Sequence, residues 1–287
     1  MKHNLQVTII LIILFLLAHL IGLLVVKHYL PESQQLPLKI EKPQAPEETS
    51  YIPIFITILI ATIAALILIK FSAFRLWKLW FLLSVFLTLT ISITAFIPEL
   101  FAIFIAIILS LWKTFKPNVY IHNFTEIFIY GGLAALFVPI LNIKSTIILL
   151  ILISIYDAIA VWKTKHMISL AKFQSESKIF AGLFIPYNKN SEANKEVKLN
   201  KNNEKYNNKI SSNVKNAMLG GGDIGFTLLF SGVVLKTFGM KQAIIVSLIT
   251  SIALLGLFLF AKKDRFYPAM PFLTIGCILG YLMILFI

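Results

Sequence analysis

Residues 145–162, STIILLILISIYDAIAVW, form an apolar stretch long enough to cross a membrane, and they carry one carboxylic acid, Asp157. A helix rises about 1.5 Å per residue, so about 20 apolar residues span a hydrocarbon core about 30 Å thick. Similar stretches recur along the whole chain, in which 58% of the residues are hydrophobic and only 14% are charged. This composition excludes an ordinary soluble domain and indicates a protein embedded in a bilayer.

The apolar stretches predict an all-α polytopic membrane protein with nine transmembrane helices. The fourth predicted span is short, and only Pro98 and Glu99 separate it from the third, so a chain of eight spans is the alternative. The nine predicted spans cover residues 5–26, 51–69, 76–97, 99–112, 124–142, 145–162, 217–235, 242–261 and 267–286.

Loop charge favours nine spans, because Lys and Arg concentrate in short loops on the cytoplasmic side of a membrane. With nine spans and a cytoplasmic N-terminus, 20 of the 26 Lys and Arg residues lie on the cytoplasmic side. Merging the third and fourth spans would move Lys113 and Lys116 to the opposite side from the first loops and spoil this pattern. The sequence therefore predicts an integral, multi-pass membrane protein with its N-terminus in the cytoplasm and its C-terminus outside.

Other bulk features exclude several classes of site. The net charge of +13 is spread over loops facing one leaflet, so membrane topology explains it and nucleic acid is not an expected partner. The single cysteine, Cys277, cannot form an intramolecular disulfide. The five His residues form no HExxH motif, so no metal or cofactor is predicted. The first span is longer than a signal-peptide core and lacks a small-x-small cleavage pattern, so we expect it to be retained.

The chain is predicted to have three parts. Residues 1–163 carry helices one to six, residues 164–216 form a cytoplasmic and largely disordered loop, and residues 217–287 carry helices seven to nine. The tract Asn188–Asn216 is rich in Lys and Asn and low in complexity, which is typical of disorder. The apolar island Ile179–Pro186 is too short to cross a bilayer. It is interpreted either as an amphipathic segment lying on the membrane or as a plug in a cavity.

The candidate chemistry lies in two carboxylic acids within spans. Of three Asp residues in the chain, Asp157 and Asp223 fall in the sixth and seventh spans. Ionisable residues are costly in a membrane and usually face a bundle interior or watery cavity, although one such residue alone can simply tie helices together. Both lie roughly 9–12 Å beneath the cytoplasmic surface at about 1.5 Å per residue. Two carboxyls that meet at one level share a proton, so one can activate water while the other polarises a peptide carbonyl.

The residues around this pair suit a peptide substrate. Gly220, Gly221 and Gly222 precede Asp223 and allow close backbone approach, although tight helix packing is the alternative explanation. Pro268 and Pro271 flank Ala269 and Met270 at the same level of the last span. These prolines either leave backbone carbonyls free or simply punctuate the start of a helix. A site with unpaired backbone groups can hold a substrate as an added strand.

Three motifs resemble those of one protease family. Tyr156-Asp157, Gly220-Gly221-Gly222-Asp223 and Pro268-Ala269-Met270-Pro271 resemble, in order and span placement, the YD, GxGD and PAL motifs of presenilin and signal peptide peptidase proteases. The run YDAIAVWKTKHM looks especially like microbial presenilin homologues. One departure is Met270, where the family's PAL motif has Leu.

The resemblance implies an intramembrane aspartyl endopeptidase of a prokaryotic cell membrane. It implies Asp157 and Asp223 as the catalytic residues, and single-pass transmembrane helices or signal-peptide remnants as substrates, with no requirement for accessory subunits. It also implies that the island at Ile179–Pro186 is the hydrophobic part of a regulatory loop. A proton-coupled transporter and a prepilin peptidase are the alternative functions, but the first favours a site at the bilayer centre and the second leaves Tyr156 and the proline motif unexplained.

Two further signals receive an ordinary explanation. Glu99 and Glu126 lie near the ends of predicted spans, where solvation at the membrane interface is expected. Gly276 and Gly280 form a GxxxG pattern in the last span, which predicts a helix-packing contact within the bundle.

Overall fold

The structure is a computed structural model that describes residues 5–31, 33–163, 173, 180–188, 214–260 and 267–286. Nine α-helices lie within these residues. They are α1 (Leu5–Tyr29), α2 (Tyr51–Lys70), α3 (Phe74–Thr94), α4 (Glu99–Phe115), α5 (Val119–Phe137), α6 (Ile143–Ala158), α7 (Gly221–Phe238), α8 (Met240–Phe260) and α9 (Met270–Leu285).

Six of the described helical segments are long and apolar enough to cross a membrane by length and composition. They comprise α1, α2, α3 and α8, together with α5 and α6 extended by the short turns that follow them, and α9 is a shorter apolar helix. Pro98 has an extended backbone at the start of α4, so the third and fourth helices are separate. They pack side by side, with Leu89 and Ala106 in one buried cluster. The prediction of a polytopic bundle with nine helices is confirmed.

The core of the bundle is built around α1. Its buried residues Leu11, Phe15 and Leu23 belong to the largest apolar cluster, which also contains residues of α5, α6, α7, α8 and α9. In contrast, α2 lies at the periphery, because only Ile54 and Ala65 of its residues are buried. The predicted GxxxG contact is confirmed inside the bundle: a Cβ on Gly276 would lie 2.6 Å from the Cβ of Ala253 on α8.

A two-stranded antiparallel sheet lies between α6 and α7 in the sequence. Strand β1 (Gly182–Asn188) pairs with β2 (Val214–Gly220), and Gly182 lies opposite Gly220. Leu183 and Leu219 are buried on one face, whereas Met218 is exposed on the other. Gly182 has φ of 146°, and a Cβ there would lie 2.3 Å from the Leu219 carbonyl oxygen, so this position requires glycine.

The sheet changes two expectations about the polar loop. Residues 182–186 of the predicted apolar island belong to β1, where they pair with another strand instead of lying alone on the membrane. The predicted disordered tract is mostly outside the described residues, at 189–213, and its last residues belong to β2. Residues 217–220, predicted as the start of the seventh span, are also strand, so α7 begins at Gly221.

Candidate active site

Asp157 lies near the end of α6, one residue before the helix ends. The backbone N–H of Met270, at the first turn of α9, donates a hydrogen bond to Oδ2 of Asp157 over 3.1 Å. Three residues earlier, Ser154 Oγ lies 2.7 Å from Thr274 Oγ1 and joins the same two helices. The N-terminus of a helix favours a carboxylate, so α9 is placed to hold Asp157.

Asp223 is the third residue of α7 and therefore lies in its first turn. Its carboxyl group lies beside the backbone of Gly220 and within electrostatic range of Asp157. Both Asp side chains are partly buried. The structure thus brings together the two acids that the sequence analysis singled out, at the end of one helix and the start of the next.

The three glycines before Asp223 differ in their surroundings. A Cβ on Gly220 would lie 3.1 Å from Oδ2 of Asp223, and one on Gly221 would lie 3.0 Å from the hydroxyl of Tyr130. A Cβ on Gly222 would meet only the ring of Phe226, at 3.6 Å, which is ordinary contact. Close approach therefore explains Gly220 and Gly221 but not Gly222.

The other predicted residues lie around the pair in different ways. The hydroxyl of Tyr156 donates to Thr62 Oγ1 over 2.9 Å and so joins α6 to the peripheral α2. Pro271 lies in the first turn of α9, where the first helical hydrogen bond runs from Leu273 N–H to the Ala269 carbonyl. This geometry matches the helix-punctuation explanation of Pro271. Pro268 precedes the helix.

The expectation that Glu126 is an interfacial, solvated residue is wrong. Glu126 is only 1% exposed, and its Oε1 accepts a hydrogen bond of 2.7 Å from the buried ammonium of Lys113. Its other oxygen accepts a hydrogen bond from Tyr130. Glu99, by contrast, accepts the backbone N–H of Leu38 in an exposed contact.

Two neighbouring residues on α5 hold strand β1. The amide of Asn123 pairs with the backbone of Phe184 in both directions, donating to its carbonyl over 2.7 Å and accepting from its N–H over 2.9 Å. His122 Nε2 lies 2.7 Å from the carbonyl oxygen of Gly182. These residues are not predicted from the sequence, because the predicted fifth span begins at 124, whereas α5 begins at Val119 with Asn118 as its cap.

These contacts also define which edge of the sheet is open. In an antiparallel pair, opposite residues alternate between pairs that exchange backbone hydrogen bonds and pairs whose N–H and C=O groups point outwards. The Phe184 groups point to Asn123, away from β2, and Phe184 lies opposite Met218. The N–H and C=O of Met218 therefore point to the far edge of β2. No described side chain hydrogen-bonds to them.

The arrangement places the two acids near a strand edge that has no hydrogen-bond partner among the described residues and that ends three residues before Asp223. Two carboxyls that share a proton can activate water and polarise a carbonyl, and a strand edge can bind an extended peptide. Among the described residues, no group of three or more His, Cys, Asp or Glu side chains is arranged to hold a metal ion. Fold and site together define the class of intramembrane aspartyl proteases.

Comparison with known proteins agrees with this class. The family model described as signal-peptide peptidase, presenilin aspartyl protease matches residues 10–287. The chain therefore belongs to the signal-peptide peptidase and presenilin family of aspartyl proteases. The predicted family and enzyme class are confirmed, and this membership favours neither the transporter nor the prepilin peptidase.

Solved structures show the same fold. A presenilin family intramembrane aspartate protease in space group C222 has 18% sequence identity and a TM-score of 0.64, with 96% of this chain and 97% of that chain covered. A structure in space group P2, also of a presenilin family intramembrane aspartate protease, has 16% identity and a TM-score of 0.62, with 95% of each chain covered. Comparison with curated proteins gives no match.

Proposed function

We propose that Asp157 and Asp223 are the catalytic pair with which this protein hydrolyses peptide bonds inside the membrane. The observation that carries the proposal is the placement of the two carboxyl groups, Asp157 near the end of α6 and Asp223 in the first turn of α7, within electrostatic range of each other. One carboxylate takes a proton from water, and the resulting hydroxide attacks the carbonyl carbon. The protonated partner hydrogen-bonds to the carbonyl oxygen, and a proton then passes to the departing amine as the C–N bond breaks.

The substrate must present an extended peptide to this pair, because a helix keeps its own carbonyl and N–H groups bonded to one another. The open edge of β2 supports such a geometry: Met218 offers one N–H and one C=O, and β2 leads directly into the glycines and Asp223. A substrate strand paired with Met218 would run beside the acids. Two motifs are proposed to line this approach from opposite sides: the glycines Gly220, Gly221 and Gly222, and the segment Pro268, Ala269, Met270 and Pro271.

The substrates proposed are single-pass transmembrane helices or signal-peptide remnants, cleaved without accessory subunits. The chain is proposed to lie in a prokaryotic cell membrane with its N-terminus in the cytoplasm and its C-terminus outside. In this arrangement residues 1–163 and 217–287 carry the membrane helices, with residues 217–220 as the end of β2, and residues 164–216 form the cytoplasmic loop. Tyr156 is proposed to position α6 through its bond to Thr62 of α2.

The test uses the purified full chain in detergent with a synthetic peptide that contains one transmembrane helix. Mass spectrometry of the products is expected to reveal pairs of fragments whose ends meet within the apolar segment. Cleavage confined to the polar ends of the peptide, or no cleavage of several unrelated transmembrane peptides, would contradict the proposal.

A further inference from the structure

One face of α5 carries a row of buried polar groups. His122, Glu126 and Tyr130 follow one another at intervals of four residues, so their side chains lie on one face of the helix. All three are buried inside the bundle. Burying an ionised carboxylate and several hydrogen-bonding groups costs free energy unless each finds a partner, so this row requires an explanation beyond packing.

Lys113 of α4 supplies the partners for the row. Lys113 is only 2% exposed, and its ammonium lies 2.7 Å from Glu126 Oε1, 3.0 Å from Thr125 Oγ1 and 3.3 Å from His122 Nδ1. A neutral His122 satisfies both contacts, since Nε2–H donates to the Gly182 carbonyl while Nδ1 accepts from Lys113. The charges of Lys113 and Glu126 thus compensate each other. Hydrogen bonds link Glu126 to Tyr130 in one direction and Lys113 to His122 in the other.

On one side the row reaches the turn before Asp223. The Tyr130 hydroxyl donates to Glu126, and it lies 3.0 Å from the Cβ position of Gly221, two residues before Asp223. Asp223 also lies within electrostatic range of the Tyr130 hydroxyl. Because Glu126 fixes the hydroxyl and the hydroxyl abuts Gly221, the row limits where the first turn of α7 can lie.

On the other side the row reaches strand β1. His122 and its neighbour Asn123 bond to Gly182 and Phe184, which occupy the edge of β1 that faces away from β2. The Asn123 amide uses one N–H as donor and its oxygen as acceptor, and so takes the place of a neighbouring strand at this edge. The edge is therefore closed to a peptide, and β1 is fixed to a rigid helix.

We propose that this polar face of α5, formed by His122, Asn123, Glu126 and Tyr130 with Lys113 as counter-charge, is the positioning surface of the active site. It fixes β1 and the glycine turn, and so sets where an extended substrate lies relative to Asp223. The part concerning the substrate rests on the proposed function, whereas the positioning of the strands does not. These are positioning residues, because they act on the reaction through β1 and Gly221.

The first test replaces Tyr130 with Phe, which keeps the ring and removes only the hydroxyl. The matched control is Tyr29→Phe, because Tyr29 is equally buried and its hydroxyl donates to the Ile91 carbonyl far along the sequence from the site. Displacement of reacting groups by about 1 Å lowers a rate on the order of 100-fold, so we expect Tyr130→Phe to lose about 10-fold to 100-fold in cleavage rate. Tyr29→Phe is expected to stay within about twofold of the parent, the ordinary scale for a distant site.

The second test, Asn123→Leu, breaks both bonds to Phe184 without touching the buried ion pair. If β1 slips against β2, it must move by two residues to keep its buried side chains on the same face of the sheet. A substrate held along this sheet would then be cut at a different bond, so we expect new fragments whose ends are displaced from the parent cleavage site. A purely structural loss of stability would lower the rate but leave the cut positions unchanged. Hydrogen exchange of residues 180–188 and 214–222 is expected to rise in Asn123→Leu and not in Tyr29→Phe.

The outcomes separate the two proposals. Unchanged strand exchange in Asn123→Leu, or equal rates and identical fragments for Tyr130→Phe and Tyr29→Phe, would overturn the positioning role. If Tyr130→Phe does not fold, the exchange and fragment pattern of Asn123→Leu decide in the same way. Faster strand exchange in Asn123→Leu with no cleavage even by the parent protein would uphold the positioning of β1 and contradict the proposed function.

Discussion

The backbone N–H of Met270 lies 3.1 Å from Oδ2 of Asp157 and donates a hydrogen bond to it. The start of α9 therefore contacts one candidate catalytic acid directly, although 113 residues separate the two in sequence. The neighbouring Pro271 has no N–H to offer, so Met270 supplies a donor that the adjacent position lacks. The side chain of Met270 is buried in the main core. The residue at this motif position can therefore be apolar, because the hydrogen bond to Asp157 comes from its backbone N–H.

The paired acids predict a bell-shaped dependence of cleavage rate on pH. Below the lower macroscopic pKa of the pair both acids are protonated and no base remains to activate water. Above the upper one both are ionised and no acid remains to polarise the carbonyl. Initial rates measured from pH 4 to pH 9 are expected to fall on both sides of one maximum. A flat profile over this range, at pH values where thermal unfolding shows the protein intact, would contradict a shared proton.

The glycines before Asp223 are predicted to be unequal. Gly220→Ala brings a methyl group to about 3.1 Å from the Asp223 carboxylate, and Gly221→Ala brings one against Tyr130. Both changes are expected to lower the cleavage rate on the order of 10-fold or more, because they displace the acid or its supporting turn. Gly222→Ala, whose methyl group would meet only the Phe226 ring at 3.6 Å, is the comparison variant and is expected to lose less activity than either. Equal loss in all three variants would show that close approach is not the reason for these glycines.

Water must reach the pair if it hydrolyses peptides. Gly222 is exposed beside Asp223, whereas Leu254 on α8 is fully buried in the core. In a Cys277→Ser background, Gly222→Cys is expected to react with a small water-soluble thiol reagent, and Leu254→Cys is not. Thiol labelling followed by mass spectrometry measures both. Protection of position 222 equal to that of 254 would mean that no aqueous path reaches the acids.

The close contact between α8 and α9 predicts that a methyl group added at Gly276 lowers the thermal stability of the protein, and Gly256 offers a matched control. A methyl group on Gly276 would lie 2.6 Å from Ala253 Cβ, whereas one on Gly256 of α8 meets nothing within 4 Å. Overpacking costs about 1–3 kcal/mol, so Gly276→Ala is expected to lower the midpoint of thermal unfolding. Gly256→Ala is expected to leave it unchanged or raise it, because alanine favours a helix. Similar midpoints for the two variants would show that α9 does not pack on α8 this closely.

The fold was largely predictable because transmembrane helices are recognisable in a sequence as long stretches of apolar residues. Long apolar stretches and the placement of Lys and Arg predicted nine spans, and the pair Asp157 and Asp223 was found because carboxylic acids are rare in such stretches. Helix ends were less predictable. The stretch before Gly220 is apolar enough to continue a helix, yet it pairs with Gly182–Asn188 as strand β2. A short apolar run cannot be told from the start of a helix by periodicity alone, and the sequence of one strand does not show which segment it pairs with.

The positioning surface was missed for a different reason. The position of Glu126 near a predicted helix end favours a solvated residue at the membrane interface. Its partner Lys113 lies on another helix, and sequence spacing alone does not show that the two face each other. A signal was present in the regular spacing of His122, Glu126 and Tyr130, since three polar residues on one face of an apolar helix call for buried partners.

The catalytic role of the two acids is tested most directly by replacing each with the amide of the same shape. Cleavage of a transmembrane peptide by the parent protein, Asp157→Asn and Asp223→Asn is measured by mass spectrometry, and thermal unfolding confirms that all three fold. General acid and base catalysis contributes about 10²-fold to 10⁴-fold, so each variant is expected to lose at least that factor. Substantial cleavage by a folded Asp157→Asn or Asp223→Asn variant, within about tenfold of the parent rate, would contradict the account.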